Sequence, residues 1–127
     1  MERLRTLGIV FLALGIIEAC WAFFCVAGGG LLGIVGFADE RMQLPLWIGS
    51  GLYVLLAGVA VVLAAVHVIA GVRLRRGKGL VTTLLALGAC FVSMIFALYC
   101  APFSFGAAVY CAVVLLDPAS RKLLESE

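Results

Sequence analysis

The first of three apolar tracts covers residues 7–37, LGIVFLALGIIEACWAFFCVAGGGLLGIVGF, and Glu18 is the only charged residue in it. Two further tracts cover residues 44–72 and 79–116, so the three are 31, 29 and 38 residues long. A helix needs about 20 apolar residues to cross the hydrocarbon layer of a bilayer. The third tract is therefore too long for one crossing and suits two, and Pro102 marks the expected hairpin between them.

These tracts predict an all-α membrane protein, a compact four-transmembrane-helix bundle that forms a single domain over residues 1–127. The composition agrees, because 65% hydrophobic residues, 13% charged residues and a mean hydropathy of +1.24 exclude a soluble domain. The expected helices cover roughly residues 5–28, 45–72, 79–100 and 104–117. Residues 31–37 either extend the first helix or lie in the membrane interface, and the sequence leaves both open.

The distribution of positive charge predicts the orientation. All nine Lys and Arg residues lie outside the three apolar tracts, and eight of them fall on one side if both termini share that side. These eight are Arg3, Arg5, Arg73, Arg75, Arg76, Lys78, Arg121 and Lys122. Because positively charged loops stay in the cytoplasm, we expect cytoplasmic N and C termini and a multi-pass protein of a bacterial inner membrane. The net charge of +2 then reflects topology, and no nucleic-acid partner is expected.

The basic loop after the second helix is a candidate contact for anionic lipid headgroups. It contains Arg73, Arg75, Arg76 and Lys78, and each such residue contributes about 1 kcal/mol near an anionic surface. Its main expected role is to anchor the topology. The lipid bilayer is thus the first expected partner.

Glu18 is the most informative polar residue inside the expected helices. A charged group near the bilayer centre costs about 2.5 to 3.5 kcal/mol, so Glu18 should face protein or water, or stay protonated. Gly15, Ala19 and Ala22 share its face at helical spacing, and small residues let membrane helices approach closely. We therefore expect helix one to turn this face toward its neighbours.

His67 and Ser93 are the corresponding polar residues of the second and third helices. Ser93 comes out at the depth of Glu18, so Glu18 is expected to bond to Ser93 or to a free carbonyl, and His67 is expected near Thr82 or Thr83. The rise per residue places Glu18 and His67 about 12 Å apart in depth. No direct pair between them is therefore expected within one subunit.

Two functions remain open on this basis. The first is a structural or assembly element that packs against itself or another membrane protein through small-residue helix faces. The alternative is a small homo-oligomeric, proton-coupled carrier or channel, with Glu18 as the ion or proton site and with His67 and Ser93 along its path. No glycine-rich phosphate loop, nucleophile elbow or metalloprotease pair is present in the sequence, so no catalytic residue, cofactor or metal is expected.

The five cysteines show no metal-binding or redox spacing. Cys25 and Cys100 fall near the outer ends of their expected helices, where an oxidising compartment would permit a disulfide between them. The remaining three are expected to pack in the core. In the C-terminal tail, Asp117 before Pro118 predicts the start of a short surface helix, with Leu123 and Leu124 against the membrane.

The second half of the chain resembles small uncharacterised bacterial inner-membrane proteins with four helices. The resemblance covers roughly residues 71–124 and rests on the basic loop, a Pro-containing hairpin and the segment from Tyr110 to Pro118. It implies a four-helix fold and no particular activity. The segment around Glu18, IIEACW, is also similar to the first span of small multidrug transporters, although the third span lacks their aromatic signature.

Overall fold

The computed structural model describes residues 2–38, 41–77, 79–96 and 101–125, and these residues form five α-helices. The helices are α1 (Glu2–Ala38), α2 (Gln43–Arg75), α3 (Leu80–Phe96), α4 (Ala101–Leu116) and α5 (Pro118–Glu125). Both α1 and α2 are long and apolar enough to cross a membrane, and the bent pair of α4 and α5 is a third candidate if it forms one span. The prediction of an all-helical protein is thus confirmed for the described residues, and two to three of its helices are long and apolar enough to cross a membrane.

The antiparallel pair of α1 and α2 dominates the packing, and its backbones touch at glycines. A Cβ atom placed on Gly71 would lie 2.7 Å from the carbonyl oxygen of Gly8, and one placed on Gly8 would lie 2.8 Å from that of Gly71. Gly15 is packed in the same way against the Ala64 carbonyl and the Val68 side chain. These are the close approaches that small residues permit between membrane helices.

The first helix is longer than predicted. It continues through residues 28–30 to Ala38, so residues 31–37 extend α1. The expected helix end at residue 28 was wrong because these glycines are packing positions: Ser50 Oγ donates a hydrogen bond to the Gly29 carbonyl (2.8 Å), and a Cβ on Gly29 would lie 3.1 Å from that of Tyr53. A glycine weakens a helix by only about 1 kcal/mol, which close contact with α2 offsets.

The second helix is also longer, and it ends at Arg75 rather than at residue 72. Arg73 and Arg75 therefore lie in its last turn, where positive charge favours the carbonyl end of a helix. Gly77 and Gly79, with φ of +73° and +106°, make the turn into α3, because this backbone region suits glycine.

The fourth helix begins at Ala101, three residues before the predicted start. Pro102 belongs to its first turn, where a helix tolerates proline because the missing N–H has no intrahelical partner. The hairpin expected around Pro102 is therefore misplaced, and residues 97–100 lie outside the described part of the chain.

The short tail helix α5 follows α4 at a bend of 84°. It begins at Pro118 as predicted, and Ser120 Oγ donates a hydrogen bond to the Asp117 carboxylate (2.8 Å). Leu124 is buried in the core, so the expectation that it faces the membrane was wrong. Leu123 is 40% exposed.

The hydrophobic core lies in the half of the molecule where all five helices meet. It contains Leu4, Leu7, Phe11, Leu14, Ala70, Leu74, Ala86, Cys90, Ala107, Ala108, Cys111, Val114 and Leu124. In the other half α1 and α2 continue beyond the described end of α3, and most of their large apolar side chains are exposed there, as in Phe23, Leu31 and Phe37.

Candidate functional site

Glu18 of α1 and His67 of α2 form a direct buried pair. Glu18 Oε2 lies 2.7 Å from His67 Nδ1, and the two residues are 1% and 0% exposed. The expectation that they do not pair within one subunit was therefore wrong. The expectation that Glu18 is shielded on the small-residue side of α1 agrees with burial of Gly15 and Ala22, whereas Ala19 is exposed.

The register of α1 and α2 explains how the two side chains meet. Because Gly15 packs between Ala64 and Val68, Glu18 stands about four residues, or about 6 Å, from the level of His67. Side chains of a helix tilt toward its N-terminus. In an antiparallel pair these tilts are opposite, so Glu18 and His67 lean toward each other and close the gap.

The other edge of the His67 ring contacts α3. Nε2 lies 3.3 Å from the Ala86 carbonyl oxygen and 3.3 Å from Cys90 Sγ, and the ring centroid lies 5.6 Å from that of Phe11 of α1, with the ring planes tilted by 36°. A carbonyl oxygen only accepts, so Nε2–H donates to Ala86. One further hydrogen is then shared between Nδ1 and Glu18 Oε2, and the pair carries no net charge whichever atom holds that hydrogen.

Cys90, His67 and Glu18 stand in the order of a nucleophile, a base and an orienting acid. Sequence reasoning missed this relation, because Cys90 was assigned to the core and His67 to the threonines of α3. In a nucleophilic arrangement the Cys90 thiol would donate to Nε2, which would then carry no hydrogen, and Nδ1–H would donate to an ionised Glu18. The buried group of three side chains would then carry a net negative charge, which is costly. The sulfur of Cys90 is also fully buried, so a substrate has no access to it in this arrangement.

The second carboxyl oxygen of Glu18 has no hydrogen-bond partner. Among the side chains of the described residues, Oε1 is the single buried oxygen or nitrogen in this state. It belongs to a small cavity, here called the Glu18 crevice, with room of about 10 Å³ for the centre of a water molecule. The other lining residues are Trp21, Leu56, Val59, Ala60, Leu63 and Phe96.

Ser93 is buried but does not bond to Glu18, contrary to expectation. Ser104 Oγ of α4 donates a hydrogen bond to Ser93 Oγ (3.3 Å), so these serines join α3 to α4. The threonines expected near His67 serve the start of α3 instead: Thr82 Oγ1 and Thr83 Oγ1 donate to the Gly79 carbonyl at 2.9 and 2.8 Å. Each threonine hydroxyl bonds to a backbone carbonyl within one turn, so neither threonine is the partner of His67, which bonds to the Ala86 carbonyl of α3 instead.

The basic residues cluster at the end of the molecule that holds the N-terminus. Arg73, Arg75 and Arg76 are exposed at the end of α2, and Lys78 lies outside the described residues. Arg3 pairs with Asp117 at 3.9 Å. The hydrogen bond from Ser120 holds the pKa of Asp117 below its usual value, and the Arg3 cation acts in the same direction.

The remaining candidate ligands do not gather into a site. Cys25 is a buried free thiol, and Cys100, its predicted disulfide partner, lies outside the described residues. Within the described ranges, no three or more His, Cys, Asp and Glu side chains are grouped closely enough to hold a metal ion. Comparisons with protein-family models, curated proteins and solved structures find no match to this chain.

Proposed function

We propose that this chain is a multi-pass protein of a bacterial inner membrane, in which α1 to α4 each cross the bilayer and both termini lie in the cytoplasm. The described parts of α3 and α4 are 17 and 16 residues long, about 25 Å each, which approaches the hydrocarbon thickness of about 30 Å. The contact of Arg3 with Asp117 and the packing of Gly8 on Arg75 support this orientation, because they bring the start of α1 next to the basic end of α2 and to the junction of α4 and α5.

Within the membrane we propose a structural or assembly role, and the observation that carries it is the Glu18–His67 pair. The pair links α1 to α2 at 2.7 Å, and the Nε2 edge of the same ring links α2 to α3 at 3.3 Å. One polar cluster thereby fixes three helices in a single register. Polar contacts of this kind specify helix packing where the surrounding lipid is as apolar as the helix surfaces.

One exposed surface that suits a partner helix is the outward face of α2. Gly51, Gly58 and Ala65 are exposed and recur every seven residues, so they lie in one line along the helix. A Cβ placed on Gly51 or Gly58 meets nothing within 4 Å. We propose that a second copy of this chain packs on this small-residue face of α2, because exposed glycines let a partner helix approach closely.

The association test uses two matched substitutions. Fluorescence energy transfer between donor- and acceptor-labelled copies in liposomes should fall in Gly58→Leu. It should stay at the wild-type level in Gly88→Leu, where the glycine is also exposed but lies on α3. No transfer in the wild-type protein, or equal loss in both variants, contradicts self-assembly through α2.

A proton-coupled carrier or channel is the second candidate, and the observation that favours it is the unpartnered Glu18 Oε1. The Glu18 crevice has room for about one water molecule, and apart from Glu18 and the Trp21 indole its lining side chains are apolar, which favours the structural role. Proton flux into liposomes distinguishes the two. A flux in the wild-type protein that Glu18→Gln abolishes without unfolding the bundle would decide for the carrier.

A further inference from the structure

A groove lies between α3 and α4 at the end of the bundle that carries the basic residues. Its apolar walls are Leu80 and Leu84 of α3 and Leu115 and Leu116 of α4, and Arg121 of α5 is its one charged lining residue. This space, here called the α3–α4 groove, has a volume of about 290 Å³, at the small end of the range for ligand pockets. Leu84 and Leu116 are exposed, so the groove opens outward rather than into the core.

Arg121 presents its outer nitrogens to an anion. Its Nε donates a hydrogen bond to Glu125 Oε1 (2.6 Å), four residues further along α5. A guanidinium group has five N–H donors, so four remain on Nη1 and Nη2, and no residue of the described ranges accepts from them. Two such donors match two oxygens of a phosphate group.

The direction of α5 puts Arg121 at the depth of lipid headgroups. The helix leaves α4 at a bend of 84°, so it runs along the membrane surface if α4 crosses the bilayer as proposed. Leu124 is buried on its inner side, whereas Arg121 and Lys122 are exposed. A surface helix of this kind lies at the boundary between headgroups and acyl chains. The leucines of the α3–α4 groove then lie on the hydrocarbon side of Arg121, because they belong to the crossing helices.

We propose that the α3–α4 groove binds an anionic phospholipid, with part of an acyl chain against its leucines and the phosphate on Arg121. Basic pockets between membrane helices on the cytoplasmic side bind anionic headgroups in this way. Arg73, Arg75 and Arg76 are exposed at the same end of the bundle and attract such lipids to it. The site rests on the proposed membrane crossing and orientation, but it does not depend on self-assembly or on the Glu18–His67 pair.

The headgroup, rather than the acyl chain, gives the site its selectivity. Lipid chains are as apolar as leucine side chains, so a chain gains little by leaving the bilayer for the groove. One cation near the membrane surface favours an anionic headgroup over a zwitterionic one by about fivefold. The Glu125 carboxylate reduces this attraction because it is negative, but its hydrogen bond also holds the guanidinium group in place. A free phosphate ion would use Arg121 alone and gain nothing from the leucines.

Photo-crosslinking in vesicles tests this site. Phosphatidylglycerol or phosphatidylcholine with a photoreactive group on an acyl chain is mixed into phosphatidylcholine vesicles that contain the protein, and mass spectrometry maps the cross-linked residues. The decisive variant is Arg121→Gln/Glu125→Gln, which removes the cation and its acidic partner together and leaves the net charge unchanged. Its matched control is Lys122→Gln, which removes one positive charge at the neighbouring exposed position. An exposed ion pair contributes little to stability, so both proteins should keep the wild-type helix content by circular dichroism.

In the wild-type protein, cross-links to the groove leucines should be about fivefold more frequent with the phosphatidylglycerol probe than with the phosphatidylcholine probe. The double variant should lose this preference, whereas Lys122→Gln should keep it, and so should the wild-type protein in an excess of inorganic phosphate. Equal yields of the two probes in the wild type, equal losses in the double variant and Lys122→Gln, or a loss on adding phosphate would overturn the proposal.

Cross-links of either probe to the exposed Phe23 of α1 report separately that the protein is in the bilayer. If Phe23 is cross-linked but the groove shows no preference for phosphatidylglycerol, the lipid site is refuted and the membrane location stands. If neither is cross-linked, the membrane location fails and the site fails with it.

Discussion

Replacing Glu18 tests the buried pair directly, because alanine removes the hydrogen bond to His67 Nδ1 whereas glutamine keeps one. In Glu18→Ala, His67 Nδ1 loses its partner while Nε2–H stays bonded to the Ala86 carbonyl. In Glu18→Gln, the side-chain amide donates to Nδ1, and Nε2–H keeps its place. The two variants should therefore differ strongly in stability although both remove the carboxyl group.

The expected losses of unfolding free energy follow from the burial of Glu18 and His67. An unpaired buried polar group costs about 1 to 3 kcal/mol, and the space left by the shortened side chain adds about 2 kcal/mol. We therefore expect Glu18→Ala to lower the free energy of unfolding by about 3 to 5 kcal/mol, the range found when one partner of a buried pair is removed. Glu18→Gln should cost about 1 kcal/mol or less, because every buried donor and acceptor of His67 stays satisfied.

Reversible unfolding in bicelles measures these differences, with Ala19→Ser as the control at an exposed neighbouring position. A cycle of Glu18→Ala, His67→Ala and the double variant isolates the interaction between the two side chains. Its coupling energy should be about 1 to 2 kcal/mol, above the average of about 0.6 kcal/mol for hydrogen bonds between membrane helices. Equal losses in the alanine and glutamine variants, or a coupling near zero, would refute the pairing argument.

Two further predictions concern helix contact and pH. Gly71→Ala should destabilise the protein by about 1 to 3 kcal/mol in the same unfolding assay, because its Cβ meets the Gly8 carbonyl, whereas Gly88→Ala on the exposed side of α3 should not; similar losses would contradict the backbone contact. Because Ser120 lowers the pKa of Asp117, the carboxylate stabilises the α4–α5 junction at neutral pH, and this contribution is lost as the pH falls through the lowered pKa. Asp117→Asn should remove that acid-dependent part of the unfolding curve, and an unchanged curve would contradict it.

The helical class and the presence of helices apolar enough to cross a membrane were predictable because they depend on composition and run length alone. Helix ends were less predictable. The glycines of residues 28–30 were interpreted as the end of a helix, although they are where α1 packs on Ser50 and Tyr53. Pro102 was interpreted as a loop residue, although it belongs to the first turn of α4. In both positions a residue that weakens an isolated helix is tolerated because of its tertiary contact or its place at the helix end.

The candidate site was predicted in part. The cost of an isolated charge in lipid correctly indicated that Glu18 is shielded, but it did not identify the partner. The depth estimate failed because α2 continues to Arg75 and because opposite side-chain tilts bring Glu18 and His67 together. The contact between His67 Nε2 and the Ala86 carbonyl was not predictable, because it depends on how α3 packs against α2. Every residue has a backbone carbonyl, so the sequence does not distinguish this one.

The neutrality of the pair connects its geometry to its proposed role. With Nε2–H bound to the Ala86 carbonyl, the group holds one shared hydrogen, and it is neutral whether that hydrogen lies on Nδ1 or on Oε2. Burying such a group avoids the cost of an isolated ion and keeps two directional bonds. A carrier would have to break these bonds in each transport cycle and expose a charge to the apolar side chains around Glu18. A pair that only holds the helices in register needs the bonds to persist. The same group that makes Glu18 tolerable in the membrane therefore opposes its use as a transport site and favours a fixed helix register.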